Sequence, residues 1–309
     1  MHALAVPLLL AVGSLLALQA AANVQLSSAT GSPFGASTLQ LAIAAGILLA
    51  AAAVAGTLGA LHELGQVRAW HLLGGLGSAV YITAGILLFP RLGAVVTVGM
   101  FIAGQMLGSL VLDTSGWLGV ERSGLGASEV GGAAAVAAGA ALIVRAQAGG
   151  GAVGAAVHRR ARWLLLALVA GAILPVQGAI NAQLRADLDA PMTVGAFSFV
   201  VATAAMALAL GWSVGLRGGP APRVAPLRSL PWWGWLGGLC GASYVTSVFL
   251  LIPEIGVAST VALTVAGQQV ASVFVDRYGL FRLPQRPISR LRLSGVVILL
   301  LGVGLIQVA

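Results

Sequence analysis

The chain contains one sequence pattern twice. Three pairs of segments match in the same order along its two halves: 19–26 with 177–184, 74–83 with 237–246, and 104–113 with 267–276. The offsets between partners are 158, 163 and 163 residues, so insertions hardly disturb the alignment. A duplication of this length in an apolar chain predicts a membrane protein built from two copies of one helix bundle.

The scarcity of charge supports a membrane setting. Charged residues make up 8% of the chain and hydrophobic residues 59%, whereas soluble domains carry about 25% charged residues. The first formally charged side chain is Glu63. The uncharged segment before it is long enough for two bilayer spans, which need ~20 residues each.

Apolar segments alternate with short connectors that carry Gly, Pro and charged residues. Spans in lipid must satisfy their own backbone hydrogen bonds, so the segments are predicted to be helices. We therefore expect an all-α integral membrane protein with ten transmembrane helices, in a first repeat at 1–147, a Gly/Ala-rich and then basic hinge at 148–162, and a second repeat at 163–309. The predicted spans are 3–24, 36–57, 70–89, 93–113, 128–145, 163–184, 192–214, 232–252, 256–276 and 291–308.

Arginine placement predicts the orientation. All sixteen cationic residues are arginines, and thirteen of them fall in odd-numbered connectors. The even-numbered connectors hold only Arg68, Arg122 and Arg185. Cytoplasmic loops are enriched in cations, so the odd connectors are predicted to be cytoplasmic and both termini extracytoplasmic. This use of arginine argues against a nucleic-acid partner, which would require a basic face on a folded soluble domain.

Five spans in each half make the repeat an inverted one. Because five is odd, the second half enters the membrane in the opposite direction to the first. The two five-helix repeats are then antiparallel and related by a pseudo-twofold axis in the membrane plane, as in many secondary transporters.

The repeated residues carry a family likeness. Each half has a Gln-x-x-x-Asn-x-Gln-Leu segment, a Gly-rich helix with Tyr and Thr, and a Gln-bearing helix that ends in Asp. This pattern resembles the drug/metabolite transporter superfamily, in its YdcZ-like branch. The resemblance implies a ten-helix bundle that moves a small solute across a bacterial inner membrane by alternating access. One departure is that Pro90-Arg91 in the first half corresponds to Pro253-Glu254 in the second.

Polar side chains at membrane depth are costly, which makes them candidates for the transport path. Gln19 and Asn23 in the first helix recur as Gln177 and Asn181 in the sixth. A spacing of four places each pair on one helix face. Their amides would suit a polar uncharged or zwitterionic solute, or they could hydrogen-bond neighbouring helices and hold the bundle together.

A second candidate group lies nearer mid-membrane. Tyr81 and Tyr244 occupy equivalent positions, and Gln105 and Gln268 lie in the middle of the fourth and ninth spans. A tyrosine there can stack on a solute or donate its hydroxyl, or it can be a buried core ring. Alternating-access sites lie near the midplane, which favours the two glutamines.

Asp113 and Asp276 are the acidic residues that recur at matching positions. Each ends its helix, so an inverted repeat places them at opposite membrane faces, where they cannot form a dyad. They are candidates for coupling to an ion or proton gradient. Structural anchoring, with Arg277 or Arg122 as partner, is the favoured interpretation.

These observations favour a secondary transporter for a small solute, with no cofactor and no metal. The chain has no lysine to complete a phosphate-binding loop, so ATP hydrolysis is not expected. A non-transporting membrane subunit or a channel remains the alternative. An intramembrane enzyme is less favoured, because the sequence offers no nucleophile with a base in reach.

Overall fold

The computed structural model describes residues 2–122, 124, 126–148, 153–255 and 257–307. This part of the chain forms ten α-helices and contains no strand. The helices are α1 (His2–Thr30), α2 (Pro33–Val54), α3 (Gly75–Leu92), α4 (Ala94–Ser115), α5 (Ala127–Ala148), α6 (Val153–Leu188), α7 (Pro191–Gly215), α8 (Leu236–Ile255), α9 (Val257–Tyr278) and α10 (Arg290–Gln307).

Seven segments of the described chain are long and apolar enough to cross a membrane: Pro7–Thr30, Pro33–Val54, Ala69–Leu92, Ala94–Ser115, Ala127–Gln147, Ala161–Leu188 and Pro191–Gly215. These correspond to the first seven predicted spans. The last three predicted spans coincide with α8, α9 and α10, which are helices of 20, 22 and 18 residues. The protein therefore has the architecture of an all-helical integral membrane protein.

Helix ends differ from the predicted ones where local bonding extends or delays a helix. Helix α1 continues to Thr30, whose hydroxyl donates to the carbonyl of Leu26, and Gly31 follows with φ +70. Helix α3 begins only after a 3-10 turn at Ala69–Leu73. Helix α6 begins at Val153, inside the segment predicted as the hinge, while residues 149–152 lie outside the described part.

The helices of the two halves interleave. Helix α1 packs against α8 and α9 of the second half, and α6 packs in the same way against α3 and α4 of the first. Helices at equivalent positions also pair with each other, α2 with α7 and α5 with α10. These partners run antiparallel: Thr57 at the end of α2 meets Thr193 at the start of α7, and Thr30 before α2 meets Arg223 beyond α7.

Glycines bring backbones into contact at equivalent places in the two halves. A Cβ added to Gly267 would lie 2.0 Å from the Leu10 carbonyl oxygen, and one added to Gly104 would lie 2.0 Å from that of Leu168. Residues 10 and 168 are one repeat apart, as are 104 and 267. Small residues that allow close helix approach are typical of membrane bundles, where packing replaces the hydrophobic effect between helices.

The connectors gather into two groups, one at each end of the bundle. The arginine-rich end comprises the odd connectors: Arg286 donates to the Pro90 carbonyl, Gln147 to the Leu92 carbonyl, and Arg282 lies over the Trp233 ring. The arginine-poor end comprises connectors two, four and six: Thr193 donates to the Thr57 carbonyl, and Gln183 to that of Gly119. Odd connectors thus meet odd ones, and even connectors meet even ones.

Candidate functional site

Gln19 and Asn23 lie on one face of α1, as their spacing predicts, and this face packs against glycines of α8. The Asn23 side chain occupies the space beside Gly237, where a Cβ would lie 1.9 Å from Oδ1, and Gln19 lies beside Gly241. Asn23 donates to the Gln40 side-chain oxygen of α2 over 3.3 Å. All three polar side chains are buried.

The equivalent group forms on α6. Asn181 lies beside Gly74, where a Cβ would lie 2.0 Å from Oδ1, and Gln177 accepts a 3.0 Å hydrogen bond from Ser78 of α3. Asn181 donates to the Ser198 hydroxyl of α7 over 3.2 Å. Residues 40 and 198 are separated by the same 158 positions as 19 and 177. The repeated sequence therefore makes repeated contacts.

Tyr81 and Gln268 join the two halves near the middle of the bundle. The Gln268 amide donates to the Tyr81 hydroxyl oxygen over 2.7 Å, and both side chains are buried. The Tyr81 ring packs against Phe101 with centroids 4.5 Å apart. Because Gln268 is the donor, the Tyr81 hydroxyl hydrogen stays available for another acceptor. Tyr244 lies close to Tyr81 and within hydrogen-bonding reach of Thr264.

These groups follow one another along the bundle. Ser78, which bonds Gln177, is three residues from Tyr81 on α3. Gly241, which contacts Gln19, is three residues from Tyr244 on α8. Each of these contacts therefore lies about 4.5 Å along the helix axis from the tyrosine of the same helix. We call the whole set the polar column. From the arginine-poor to the arginine-rich end it contains Asn181, Gln177, Ser78, Tyr81, Gln268, Tyr244, Gln19, Asn23 and Gln40.

Several amide atoms of this region have no hydrogen-bonding partner within the described residues. They belong to Asn23, Gln40, Gln105, Asn181 and Gln269. An unsatisfied buried polar atom costs about 1–3 kcal/mol. These buried amides therefore keep hydrogen-bonding capacity that no described residue uses.

The two ends of the polar column differ in exposure. Gln19 and Asn23 are 4% and 1% exposed, whereas Gln177 and Asn181 are only partly buried. The same residue types in the same local contacts are therefore enclosed at the arginine-rich end and more open at the arginine-poor end.

Asp276 holds three helices together at the arginine-rich end. Its carboxylate accepts hydrogen bonds from the backbone N–H groups of Ala94 and Val95, at 2.8 and 3.1 Å, and so caps the start of α4. Arg292 of α10 donates to the same carboxylate over 2.5 Å and also reaches the Gln147 side chain. The partner of Asp276 is thus Arg292 rather than the adjacent Arg277. We call this group the Asp276 latch.

Asp113 ends α4 near the opposite end of the bundle and is partly buried. Nineteen positions of helix separate it from Ala94, which Asp276 caps, a rise of roughly 29 Å. The two aspartates are therefore far apart. Gln105 is partly buried on α4 and forms no described bond to either tyrosine. No group of three metal-ligating side chains occurs among the described residues.

Some residues of these groups were not identified from the sequence. Gln40, Ser198 and Ser78 are isolated polar residues in apolar helices, and the repeat of position 40 at 198 was the available signal. Arg292 has no such signal, because the equivalent position in the first half is Glu129. A second pair, in which the buried His71 ring contacts the exposed Asp187 carboxylate, joins the turn before α3 to the end of α6.

Comparisons with known proteins agree with this architecture. A solved structure described as "Crystal structure of protein" superposes with a TM-score of 0.59 at 19% identity, covering 95% of this chain and 94% of that one. At this identity the likeness concerns the fold alone. No curated protein matches the chain. The sequence profile of one family, described as "Putative inner membrane exporter, YdcZ", matches residues 4–142 and again 162–305. The chain therefore belongs to the YdcZ family of the drug/metabolite transporters, whose profile covers each of its halves in turn.

Proposed function

We propose that this protein is a secondary transporter that moves a small polar solute across the cytoplasmic membrane along the polar column. Its two halves form an inverted repeat of five helices each, and alternating access exposes a midplane site around Tyr81, Gln268 and Tyr244. The family assignment supports membrane transport in general. The polar column carries the more specific proposal, because it crosses an apolar bundle and contains buried amides without partners.

The antiparallel pairing of equivalent helices supports the inverted repeat. If α1–α5 and α6–α10 are related by an axis in the membrane plane, each contact between α1 and α8 should recur between α6 and α3. The contacts of Asn23 with Gly237 and of Asn181 with Gly74 support this relation. The grouping of odd and even connectors at opposite ends supports ten membrane crossings in alternating directions.

The difference in exposure along the column supports a state closed at the arginine-rich end. By the distribution of arginine this end is cytoplasmic, so the proposed state is open toward the outside. The Asp276 latch would be the closure, since it joins α4, α9 and α10 at that end.

Transport can be tested in proteoliposomes after a ligand has been found. Purified protein is screened against a metabolite and drug panel, and a ligand that binds the folded state raises its melting temperature. Flux of that compound is then measured for Gln268→Ala and Tyr81→Phe, with Gln285→Ala as the matched control. Gln285 lies exposed in a connector and away from the column.

We expect saturable flux in the wild type and in Gln285→Ala, and at least tenfold slower flux in the two column variants. Flux that does not saturate would indicate a channel, and no flux of any stabilising compound would indicate a non-transporting subunit. Unchanged flux in Gln268→Ala would contradict the midplane site.

A further inference from the structure

A cavity of about 450 Å³ lies between α4, α5 and α6, away from the polar column. Its walls are apolar, with Met100 and Ala103 from α4, Val136 and Ala140 from α5, and Leu168 from α6. The one charged side chain in its lining is Arg145, near the end of α5. A polar solute gains nothing from such walls, so the cavity calls for an occupant with an apolar body.

The dimensions of the cavity match one leaflet of a bilayer. Along α5 its lining runs from Ala133 to Arg145, a rise of roughly 18 Å. Half of the ~30 Å hydrocarbon core is about 15 Å. The cavity therefore extends from near the midplane to the headgroup region at the arginine-rich end, the path of one acyl chain.

Cations surround the mouth of this cavity. Arg91 and Arg162 stack on the Trp163 ring at 4.5 and 4.8 Å, and Trp163 directly precedes Leu164, which lines the cavity. Both arginines and Arg145 are exposed. Tryptophan and arginine at the end of a membrane helix are typical of the headgroup level.

Among the described residues, no acidic side chain forms an ion pair with these cations. The sequence from 130 to 186, which contains the end of α5 and most of α6, has no Asp or Glu. The buried carboxylate of Asp276 is already bonded to Arg292 and to the start of α4. The mouth is therefore cationic and exposed, above an apolar slot about one leaflet long.

We propose that the cavity binds an anionic phospholipid from the leaflet at the arginine-rich end. One acyl chain fills the slot between α4, α5 and α6, and the phosphate lies among Arg145, Arg91 and Arg162. Lipid binding at this site does not depend on the solute transport proposed above, because the cavity and the polar column share none of their residues.

The test is a lipid titration of the purified full-length protein in a neutral detergent, followed by native mass spectrometry. The probes are dioleoyl phosphatidylglycerol, dioleoyl phosphatidylcholine with the same chains, and glycerol 3-phosphate, which has the anion without the chains. Arg145→Gln removes the cation and Ala141→Leu fills the cavity. Their matched controls are Arg217→Gln, an arginine stacked on Trp212 at the same end, and Ala207→Leu, an exposed alanine on α7.

We expect phosphatidylglycerol to bind at least fivefold more tightly than phosphatidylcholine. Arg145→Gln should weaken phosphatidylglycerol about fivefold, the contribution of one cation near an anionic headgroup. Ala141→Leu should weaken it similarly, and the controls should bind as the wild type does. Melting temperatures without lipid identify any variant that fails to fold, and Ala137→Val then replaces Ala141→Leu as a milder filling of the same cavity.

Three results would each overturn the proposal. Equal affinity for the two lipids would show that the anionic headgroup is not recognised. An equal loss of phosphatidylglycerol affinity in Arg217→Gln and Arg145→Gln would show that the effect comes from general surface charge. Wild-type affinity in both cavity-filling variants would show that the acyl chain does not occupy the cavity. Binding of glycerol 3-phosphate as tight as that of the lipid would identify a free-anion site instead.

Discussion

The C-terminal ends of α4 and α9 share an aspartate, a glycine and a backbone turn, but their side chains are bonded differently. Asp113 and Asp276 are each followed three residues later by a glycine in the left-handed region, with φ +69 at Gly116 and +60 at Gly279. Two residues further on, Leu118 and Phe281 have φ of 57 and 56. Non-glycine residues rarely adopt this conformation, so its recurrence shows that both copies fold the same local turn.

The tertiary surroundings make one copy a latch and leave the other open. Asp276 is 2% exposed and holds α4, α9 and α10 together. Asp113 is partly exposed and has no ion pair among the described residues. The position equivalent to Arg292 is Glu129, so the second end cannot repeat the latch with the same charges. The same local turn thus follows α4 and α9, whose C-terminal ends differ in their long-range contacts.

The largest expected effect is on the latch itself. Asp276→Ala leaves Arg292 charged and buried without its partner, which should lower the free energy of unfolding by about 3–5 kcal/mol. Asp113→Ala, its matched control, should cost less than about 1 kcal/mol because Asp113 is partly exposed. Denaturation of both variants in the same detergent measures the difference. Equal losses would show that the latch is not what distinguishes the two ends.

A smaller difference is expected between two equivalent glycines. Gly237→Ala and Gly74→Ala would bring a Cβ to 1.9 and 2.0 Å from the side-chain oxygens of Asn23 and Asn181. Asn23 is 1% exposed and cannot move aside, whereas Asn181 is only partly buried. Gly237→Ala should therefore cost about 1–3 kcal/mol, as overpacking typically does, and Gly74→Ala less. The order of the two melting temperatures checks this, and a reversed order would refute it.

The rates of thiol labelling at the two ends of the polar column should differ by about tenfold, which corresponds to about 1.4 kcal/mol. In a Cys240→Ala background, Gln177→Cys should react faster than Gln19→Cys with a membrane-impermeant thiol reagent, because Gln177 is the more exposed of the two. Labelling intact cells and inverted vesicles also tests the predicted sidedness. Equal rates for the two cysteines would contradict a closed arginine-rich end.

The smallest expected effect is a gain in stability. Glu129→Arg places a cation at the position equivalent to Arg292, where it can pair with Asp113. Because Asp113 is partly exposed, the expected gain in stability is at most about 1 kcal/mol. The gain should vanish in the Glu129→Arg, Asp113→Ala double variant, which a double-mutant cycle resolves. A gain that persists without Asp113 would exclude this pairing.

Much of the architecture was predictable because it depends on local pattern. Apolar segment lengths located the ten helices of the described residues, seven of which are long and apolar enough to cross a membrane. Errors at their ends arose where local bonds extend a helix, as at Thr30. The repeat identified the amides of α1 and α6, and the structure brings each to the opposite half. It could not identify Gln40 and Ser198 as their partners, since those bonds depend on how α2 and α7 pack.

By itself the sequence determined an apolar, helical, duplicated membrane chain. The first two properties follow from composition and from the lengths of apolar segments, and the duplication follows from segments that match at offsets of 158 and 163 residues. Only the tertiary structure decided which of the two repeated aspartates is buried and paired. Asp113 and Asp276 occupy matching positions of the repeat and are followed by the same turn. Their difference comes from contacts such as that between Asp276 and Ala94, which lie far apart in the chain and meet only when the two halves pack together.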